Sequence, residues 1–149
     1  PTTGHCVDVA SGTGAVTLWL AERGLHVTAL DVSPVAIDVV RACAEQSGLD
    51  ERIDARVVDL DDGIPGDLRD LELIVCQRFR SPALYPALLE RLRPGGLVVV
   101  TVLSAVECDS PGPFHAPPGE LREAFTSERC DIVIEAEGGG VAHLVARRL

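Results

Sequence analysis

The chain of 149 residues contains no lysine, no asparagine and no methionine, and all thirteen of its basic residues are arginine. The absence of lysine excludes a Schiff-base mechanism and a catalytic lysine, and the absence of asparagine excludes any site that requires an asparagine ligand. The five cysteines are scattered and form no Cys-x-x-Cys pair, so they indicate neither a disulfide framework nor a zinc site. We therefore expect no bound metal and a cytoplasmic location.

Signals for membranes and nucleic acids are missing as well. The longest apolar stretch, residues 97–106, is interrupted by Thr101 and Ser104 and is too short to span a bilayer. The first five residues lack the basic start and apolar run of a secretory signal. A formal net charge of −10 opposes binding to a phosphate backbone. The expected partner is therefore a small molecule, with neither nucleic acid nor membrane.

The sequence does contain a regular alternation of short apolar runs and segments with helical spacing. The runs span residues 5–10, 25–30, 55–58, 71–76 and 97–103, and they are typical of strands buried on both faces of a parallel sheet. Ser33-Pro34 and Ser81-Pro82 each predict a helix start, and Gly24 and Gly48 each predict a helix end. This alternation predicts a single doubly wound α/β domain over residues 1–149.

The C-terminal tail departs from this alternation. Residues 131–136 and 141–147 are strand-like, and only Gly138-Gly139-Gly140 separates them. Three residues are too few for a crossover helix, so the last strand must run antiparallel to the one before it.

The residues with most chemical meaning lie at the first strand-to-helix turn, from Asp8 to Gly14. Gly12 and Gly14 let the backbone turn sharply next to a helix start, an arrangement that binds nucleotide-like molecules. Asp31 closes the second strand, where a carboxylate accepts hydrogen bonds from ribose hydroxyls. Dinucleotide-binding dehydrogenases share both features, but Thr17 occupies the place of their third glycine. An NAD-dependent oxidoreductase stays open as an alternative at this point.

Four ordered motifs resemble those of class I S-adenosylmethionine-dependent methyltransferases. The segment from Asp8 to Gly14 resembles that family's first motif, with Ala10 in place of its first glycine, and Asp31 matches its ribose-binding acid. Val57-Val58-Asp59 and the turn at residues 92–96 resemble the later motifs, and the antiparallel hairpin is also typical of the family. The resemblance implies a Rossmann-like, mostly parallel seven-stranded sheet of order 3-2-1-4-5-7-6, with S-adenosylmethionine as cofactor. Residues 118–122 are similar to the small tellurite-resistance-like branch.

The resemblance also implies a set of cofactor contacts, several of which have a plain structural interpretation. Asp8 either braces the glycine loop or reaches the cofactor's ammonium group, Asp31 is also suited to cap a helix, and Asp59 lies in an acidic loop. Cys76 is favoured as a small buried apolar residue. The expected cofactor-binding residues are Asp8, Ala10, Ser11, Gly12, Gly14, Asp31, Val32, Asp59, Leu60 and Cys76.

The acceptor side is less well specified. Gln77, Arg78 and Tyr85 are candidates to orient the acceptor, and His115 is a candidate base in a proline-rich loop, whereas His5, His26 and His143 are expected to be structural. A displacement at a sulfonium methyl group needs alignment more than a base. The predicted function is methyl transfer to a small molecule; the alternative is a module that binds the cofactor without transfer.

The first predicted strand begins close to Pro1, whereas in the resembling family helices normally precede it and cover the site. For this chain we therefore expect cofactor binding on the order of tens of micromolar or weaker and slow transfer. We expect the site to be covered by one of three elements: an upstream segment, a homodimer partner or the loop at residues 107–118.

Overall fold

The computed structural model describes residues 1–126 and 128–149, and within them seven strands form one mixed sheet. The strands are β1 (His5–Val9), β2 (His26–Asp31), β3 (Ile53–Val57), β4 (Leu71–Gln77), β5 (Leu92–Leu103), β6 (Cys130–Gly138) and β7 (Val141–Arg148). Their order is β3-β2-β1-β4-β5-β7-β6, and β7 is antiparallel to both of its neighbours. The predicted strand order and the antiparallel last strand are confirmed.

Helices cover both faces of the sheet. They are α1 (Ala15–Glu22), α2 (Pro34–Gln46), α3 (Tyr85–Arg91) and α4 (Glu120–Phe125), and a 3-10 turn spans Leu60–Asp62. On one face α1 and α2 contact β2 and β3, while α3 and α4 contact β5, β6 and β7 on the other. Among the described residues, no helix has the length and apolar character needed to cross a membrane.

The two predicted helix starts differ in outcome. Ser33 caps α2 as predicted, because its hydroxyl accepts a hydrogen bond from the Ala36 N–H at 3.2 Å. The prediction for Ser81 is wrong, since α3 begins only at Tyr85. The Ser81 carbonyl accepts the Leu84 N–H at 2.9 Å, so this segment forms a separate turn before the helix.

The turn predicted at residues 92–96 lies inside β5 instead of ahead of it. Leu71 pairs with Leu92 and Leu73 pairs with Leu97, so one residue of β4 faces a longer, irregular stretch of β5. Arg93 in this stretch donates to the Glu72 carboxylate at 2.6 Å. The strand is therefore longer than predicted, and the turn is present as a bulge.

The antiparallel insertion of β7 leads to a prediction about stability. Leu144 on β7 is fully buried between β5 and β6, and Leu144→Ala should lower the free energy of unfolding by about 2–5 kcal/mol through the cavity it leaves. Ile134→Ala on the edge strand β6, where the side chain is 57% exposed, should cost less than about 1 kcal/mol. Urea denaturation of both variants measures the two free energies of unfolding. Equal losses of stability would contradict the position of β7 inside the sheet, between β5 and β6.

Candidate functional site

The chain leaves β1 through a strained turn. Ala10 has a φ of 56°, a left-handed conformation that costs a residue with a Cβ atom roughly 1–2 kcal/mol. The next residue is held by a backbone bond from the Ser11 N–H to the Leu30 carbonyl at 2.9 Å. The loop that follows β1 is therefore fastened to the end of β2, in the place where the first motif predicts a ligand.

The two glycines of this loop have different roles. A Cβ atom on Gly14 would lie 2.7 Å from Cγ2 of Val40, so Gly14 lets the loop pack closely on α2. A Cβ atom on Gly12 would meet nothing within 4 Å. Both glycines have positive φ angles, 55° at Gly12 and 86° at Gly14. Gly14 thus serves packing, while Gly12 leaves open space beside the loop.

Asp31 connects this loop to the next helix. Its Oδ2 atom accepts the Gly12 N–H at 2.8 Å, and its Oδ1 atom accepts the Ser33 N–H at 2.9 Å. Each carboxylate oxygen retains a further lone pair for a ligand hydroxyl. Asp31 therefore performs the structural role expected of a cap and still has acceptor capacity.

A cavity of about 370 Å³ lies next to this carboxylate. Half of the ten residues expected to contact the cofactor line it, and they come from the ends of β1, β2 and β3. Asp59 is one of them, and its Oδ1 atom accepts the Asp61 N–H at 3.0 Å, which holds the 3-10 turn in place. The lining residues are Ala10, Asp31, Val32, Asp59, Leu60, Asp61 and Phe79.

Asp8 and Cys76 are buried and do not line this cavity. Asp8 is almost fully buried and accepts the Thr17 hydroxyl at 2.6 Å, so its bracing role is the one with direct contacts. Burial raises the pKa of Asp8 to about 6. Cys76 donates to the Phe79 carbonyl at 3.4 Å, and burial raises the pKa of its thiol to about 12. As the sequence favoured, Cys76 is a buried apolar residue with no nucleophilic character.

A second cavity, of about 380 Å³, adjoins the first, because Phe79 lines both. Its other lining residues are Arg78, Arg80, Leu103 and Phe114. The Nε atom of Arg80 donates to Oε1 of Glu120 at 2.8 Å, which ties the start of α4 to the segment after β4. Of the candidates for the acceptor side, only Arg78 reaches this cavity.

The remaining candidates are engaged elsewhere. Gln77 pairs with Thr101 across β4 and β5. Tyr85 is buried against Phe125 and donates to Glu120 at 3.4 Å, and burial raises its pKa. The Nδ1 atom of His115 accepts the Gly112 N–H at 2.9 Å within its own loop. Tyr85 and His115 therefore have structural contacts through their side chains, whereas the contact of Gln77 is one of backbone pairing.

The three histidines expected to be structural have partners or lie away from this edge. His5 contacts the Thr28 hydroxyl at 2.8 Å, and His143 contacts the Thr101 hydroxyl at 3.1 Å. His5 and His26 line a separate cavity at the amino-terminal ends of β1 to β3.

The sequence missed several residues of the two cavities. Phe79 and Phe114 carried a signal, since large apolar residues in polar or proline-rich loops are unusual. The Arg80–Glu120 pair carried none, because its members are far apart in the chain.

The fold and the motif geometry define a class I S-adenosylmethionine-dependent methyltransferase domain, and comparison with known proteins agrees. A family model described as "Methyltransferase domain" matches residues 6–96, so the chain belongs to this family. Ubiquinone biosynthesis O-methyltransferase of Xylella fastidiosa is 29% identical over 103 residues, which cover 66% of this chain and 41% of that protein. Ribosomal protein L11 methyltransferase of Symbiobacterium thermophilum is 34% identical over 93 residues, covering 60% and 29%. The chain therefore matches less than half the length of either relative.

Solved structures share the fold across nearly the whole chain. TehB from Haemophilus influenzae superposes with a TM-score of 0.83 at 20% identity, covering 99% of this chain and 58% of that chain. Geranyl diphosphate C-methyltransferase from Streptomyces coelicolor, solved with S-adenosyl-L-homocysteine, gives 0.83 at 14% identity and covers 99% and 74%. The cyclase SpnF gives 0.82 at 19% identity and covers 98% and 75%. At these identities the likeness is one of fold, and the tellurite-resistance-like branch stays a prediction.

The different roles of the two loop glycines can be tested by matched substitutions. Gly12→Ala should lower the free energy of unfolding by about 1–2 kcal/mol through backbone strain alone. Gly14→Ala also creates a clash with Val40, so its loss of stability should exceed that of Gly12→Ala by about 1–3 kcal/mol. Combining Gly14→Ala with Val40→Ala should destabilise by less than the sum of the two single changes. Chemical denaturation of the four variants measures the coupling, and strict additivity would show that Gly14 does not pack on Val40.

The raised pKa of Asp8 predicts a pH dependence of stability. The folded chain keeps this proton up to about pH 6, while the ordinary carboxyl value is 3.8. The folded state therefore binds this proton more tightly than the unfolded state does. This preference stabilises the fold fully below about pH 4, and the free energy of unfolding falls by about 2–3 kcal/mol as the pH rises to about 6. Asp8→Asn should remove this loss, and the exposed Asp38→Asn should retain it. The measurement is the free energy of unfolding from urea denaturation at pH 4 and pH 7. If Asp8→Asn loses as much stability between these pH values as wild type does, the loss does not come from Asp8.

Proposed function

We propose that this domain catalyses S-adenosylmethionine-dependent methyl transfer to a small-molecule acceptor by direct displacement. The observation that carries the proposal is the pair of cavities that meet at Phe79, at the carboxyl edge of the sheet. Five of the ten expected cofactor-binding residues line one cavity, and the other offers space for an acceptor. Open α/β sheets place ligands at this edge.

The residues of the first cavity fit the cofactor. The space beside Gly12 is open, and Asp31 has acceptor capacity for two ribose hydroxyls. Val32 is 62% exposed beside the cavity, so with Leu60 it offers an apolar surface for adenine, and Asp59 offers an acceptor for the adenine amino group. Among the described residues, the Ser11 hydroxyl is the one buried side-chain polar atom without a hydrogen-bond partner, as expected beside a polar ligand.

When bound, the cofactor supplies an electrophilic methyl group on a sulfonium. The contribution of this chain is to align an acceptor beside it and to exclude water, which alone supplies large rate accelerations. The ring nitrogens of His115 contact Gly112 and Cys108 within its loop, so no histidine base is part of the proposal. The proposal includes a cytoplasmic location. It also includes a partner or a further segment that covers the two cavities.

The size of the second cavity favours a small acceptor. Its volume of about 380 Å³ is within the range of small-molecule pockets, about 300–1,000 Å³. The relatives named above include both an enzyme of ubiquinone biosynthesis and a ribosomal protein methyltransferase, so family membership alone does not select the acceptor class. The limited volume of the cavity is the observation that supports a small molecule.

Two other functions remain to be separated by experiment. The fold also occurs in a cyclase, so a module that binds the cofactor without methyl transfer is the main alternative. Thr17 in place of a third glycine and the antiparallel β7 both argue against a nicotinamide-dependent oxidoreductase.

Calorimetric titration with S-adenosylhomocysteine tests the cofactor half of the proposal. Asp31→Ala should weaken binding by about 2 kcal/mol, roughly 30-fold, because it leaves ribose hydroxyls poorly paired. Asp38→Ala on the exposed face of α2 should leave the affinity unchanged. Equal affinity of wild type and Asp31→Ala would remove Asp31 from the site, and preferential binding of NAD would favour the oxidoreductase. Formation of S-adenosylhomocysteine from S-adenosylmethionine with an acceptor panel separates the enzyme from the binding module.

A further inference from the structure

The backbone at the exit of β4 is held in a strained conformation. Arg78 has a φ of 59°, which is uncommon for a residue with a long side chain. Its N–H donates to the Thr101 carbonyl on β5 at 2.7 Å. Strain of this kind persists where the surrounding structure fixes it, and it concentrates at ligand sites. The strained turn directs the chain so that Arg78 lines the second cavity.

The two arginines of this cavity differ in their electrostatic state. Arg80 forms a multiply bonded ion pair with Glu120, which also accepts the Tyr85 hydroxyl. Arg78 is exposed, and among residues 1–126 and 128–149 no hydrogen bond or ion pair to its side chain is found. The charge of Arg80 is therefore neutralised within the protein, while that of Arg78 is free for a ligand.

The rest of the cavity is apolar. Phe79, Leu103 and Phe114 form its walls, and Phe114 is 76% exposed although it is a large aromatic residue. Aromatic faces favour flat apolar partners. An unpaired guanidinium next to such walls is complementary to a single negative charge on an apolar body.

We infer that the acceptors of this domain are small, flat, apolar molecules with one anionic group, and that Arg78 is the residue that selects for that group. The substrate assignment rests on the proposed methyl transfer, although the binding preference is measurable without it. A carboxylate at Arg78 places the remainder of the molecule along Phe79, toward the cofactor cavity. Arg78 thus determines specificity and orientation without taking part in bond making.

The test uses trans-cinnamate and its neutral analogue trans-cinnamamide, which differ in charge and are nearly equal in shape. Binding of each is followed by ligand-observed NMR titration, with and without S-adenosylhomocysteine. Wild type should bind cinnamate about tenfold more tightly than the amide, the effect of one charge-assisted hydrogen bond. Arg78→Gln should reduce this preference to less than about twofold, and Arg78→Lys should retain part of it because the charge remains.

Arg69→Gln is the matched control. Arg69 is also exposed, but it precedes β4, and the seven-residue strand places it about 23 Å from Arg78. This variant should keep the full preference for cinnamate. Phe114→Ala should weaken both ligands equally, because it removes apolar contact and no charge. The binding measured for Phe114→Ala does not depend on whether Arg78→Gln folds, so the apolar wall is tested separately from the charge.

Each outcome bears on one claim. Equal binding of cinnamate and cinnamamide to wild type, or equal loss of preference in Arg69→Gln and Arg78→Gln, would overturn the role of Arg78. Failure of S-adenosylhomocysteine to bind would overturn the proposed function, yet a cinnamate preference lost only in Arg78→Gln would still support the anion site. Cofactor binding without any charge preference would leave methyl transfer in place and refute this acceptor class.

Discussion

The carboxylate of Asp31 joins three segments of the chain beside the first cavity. It accepts one N–H from the glycine loop at Gly12 and one from Ser33, and Ser33 in turn caps α2 through Ala36. The end of β2, the loop after β1 and the start of α2 are therefore fixed to each other by one side chain. The same side chain also lines the cavity, so its structural role and its proposed binding role fall on one residue.

The carboxyl edge of the sheet also concentrates conformational strain. The non-glycine residues with positive φ within the described chain are Ala10, Asp70, Arg78 and Glu107. Two of them, Ala10 and Arg78, directly follow the central strands β1 and β4 and line the two cavities. Bonds to the neighbouring strands hold both turns. The well-packed sheet thus supports local strain at the two turns that border the cavities.

The two halves of the site differ in how general they are. The first cavity lies beside features that the family motifs already predict: a strand, a glycine turn and an acid at the end of the next strand. The second cavity is lined by residues outside those motifs, among them Arg80, which is paired with Glu120, and the unpaired Arg78. This division agrees with the variety of activities among proteins that share the fold.

Local patterns in the sequence predicted the alternation of strands and helices, the antiparallel last strand and the capped start of α2, because periodicity, caps and short turns act between near neighbours. The strand order and five residues that line the first cavity followed from the resemblance of four motifs to a known family. Local patterns misplaced the start of α3 at Ser81 and did not reveal the bulge in β5, because the bulge depends on pairing with β4. Only the tertiary structure showed that Tyr85 is buried and that Arg80 is neutralised, whereas Arg78 is not. Arg80 is neutralised by Glu120, forty residues further along the chain, and Tyr85 packs against the equally distant Phe125. No local pattern encodes contacts between residues so far apart in the chain.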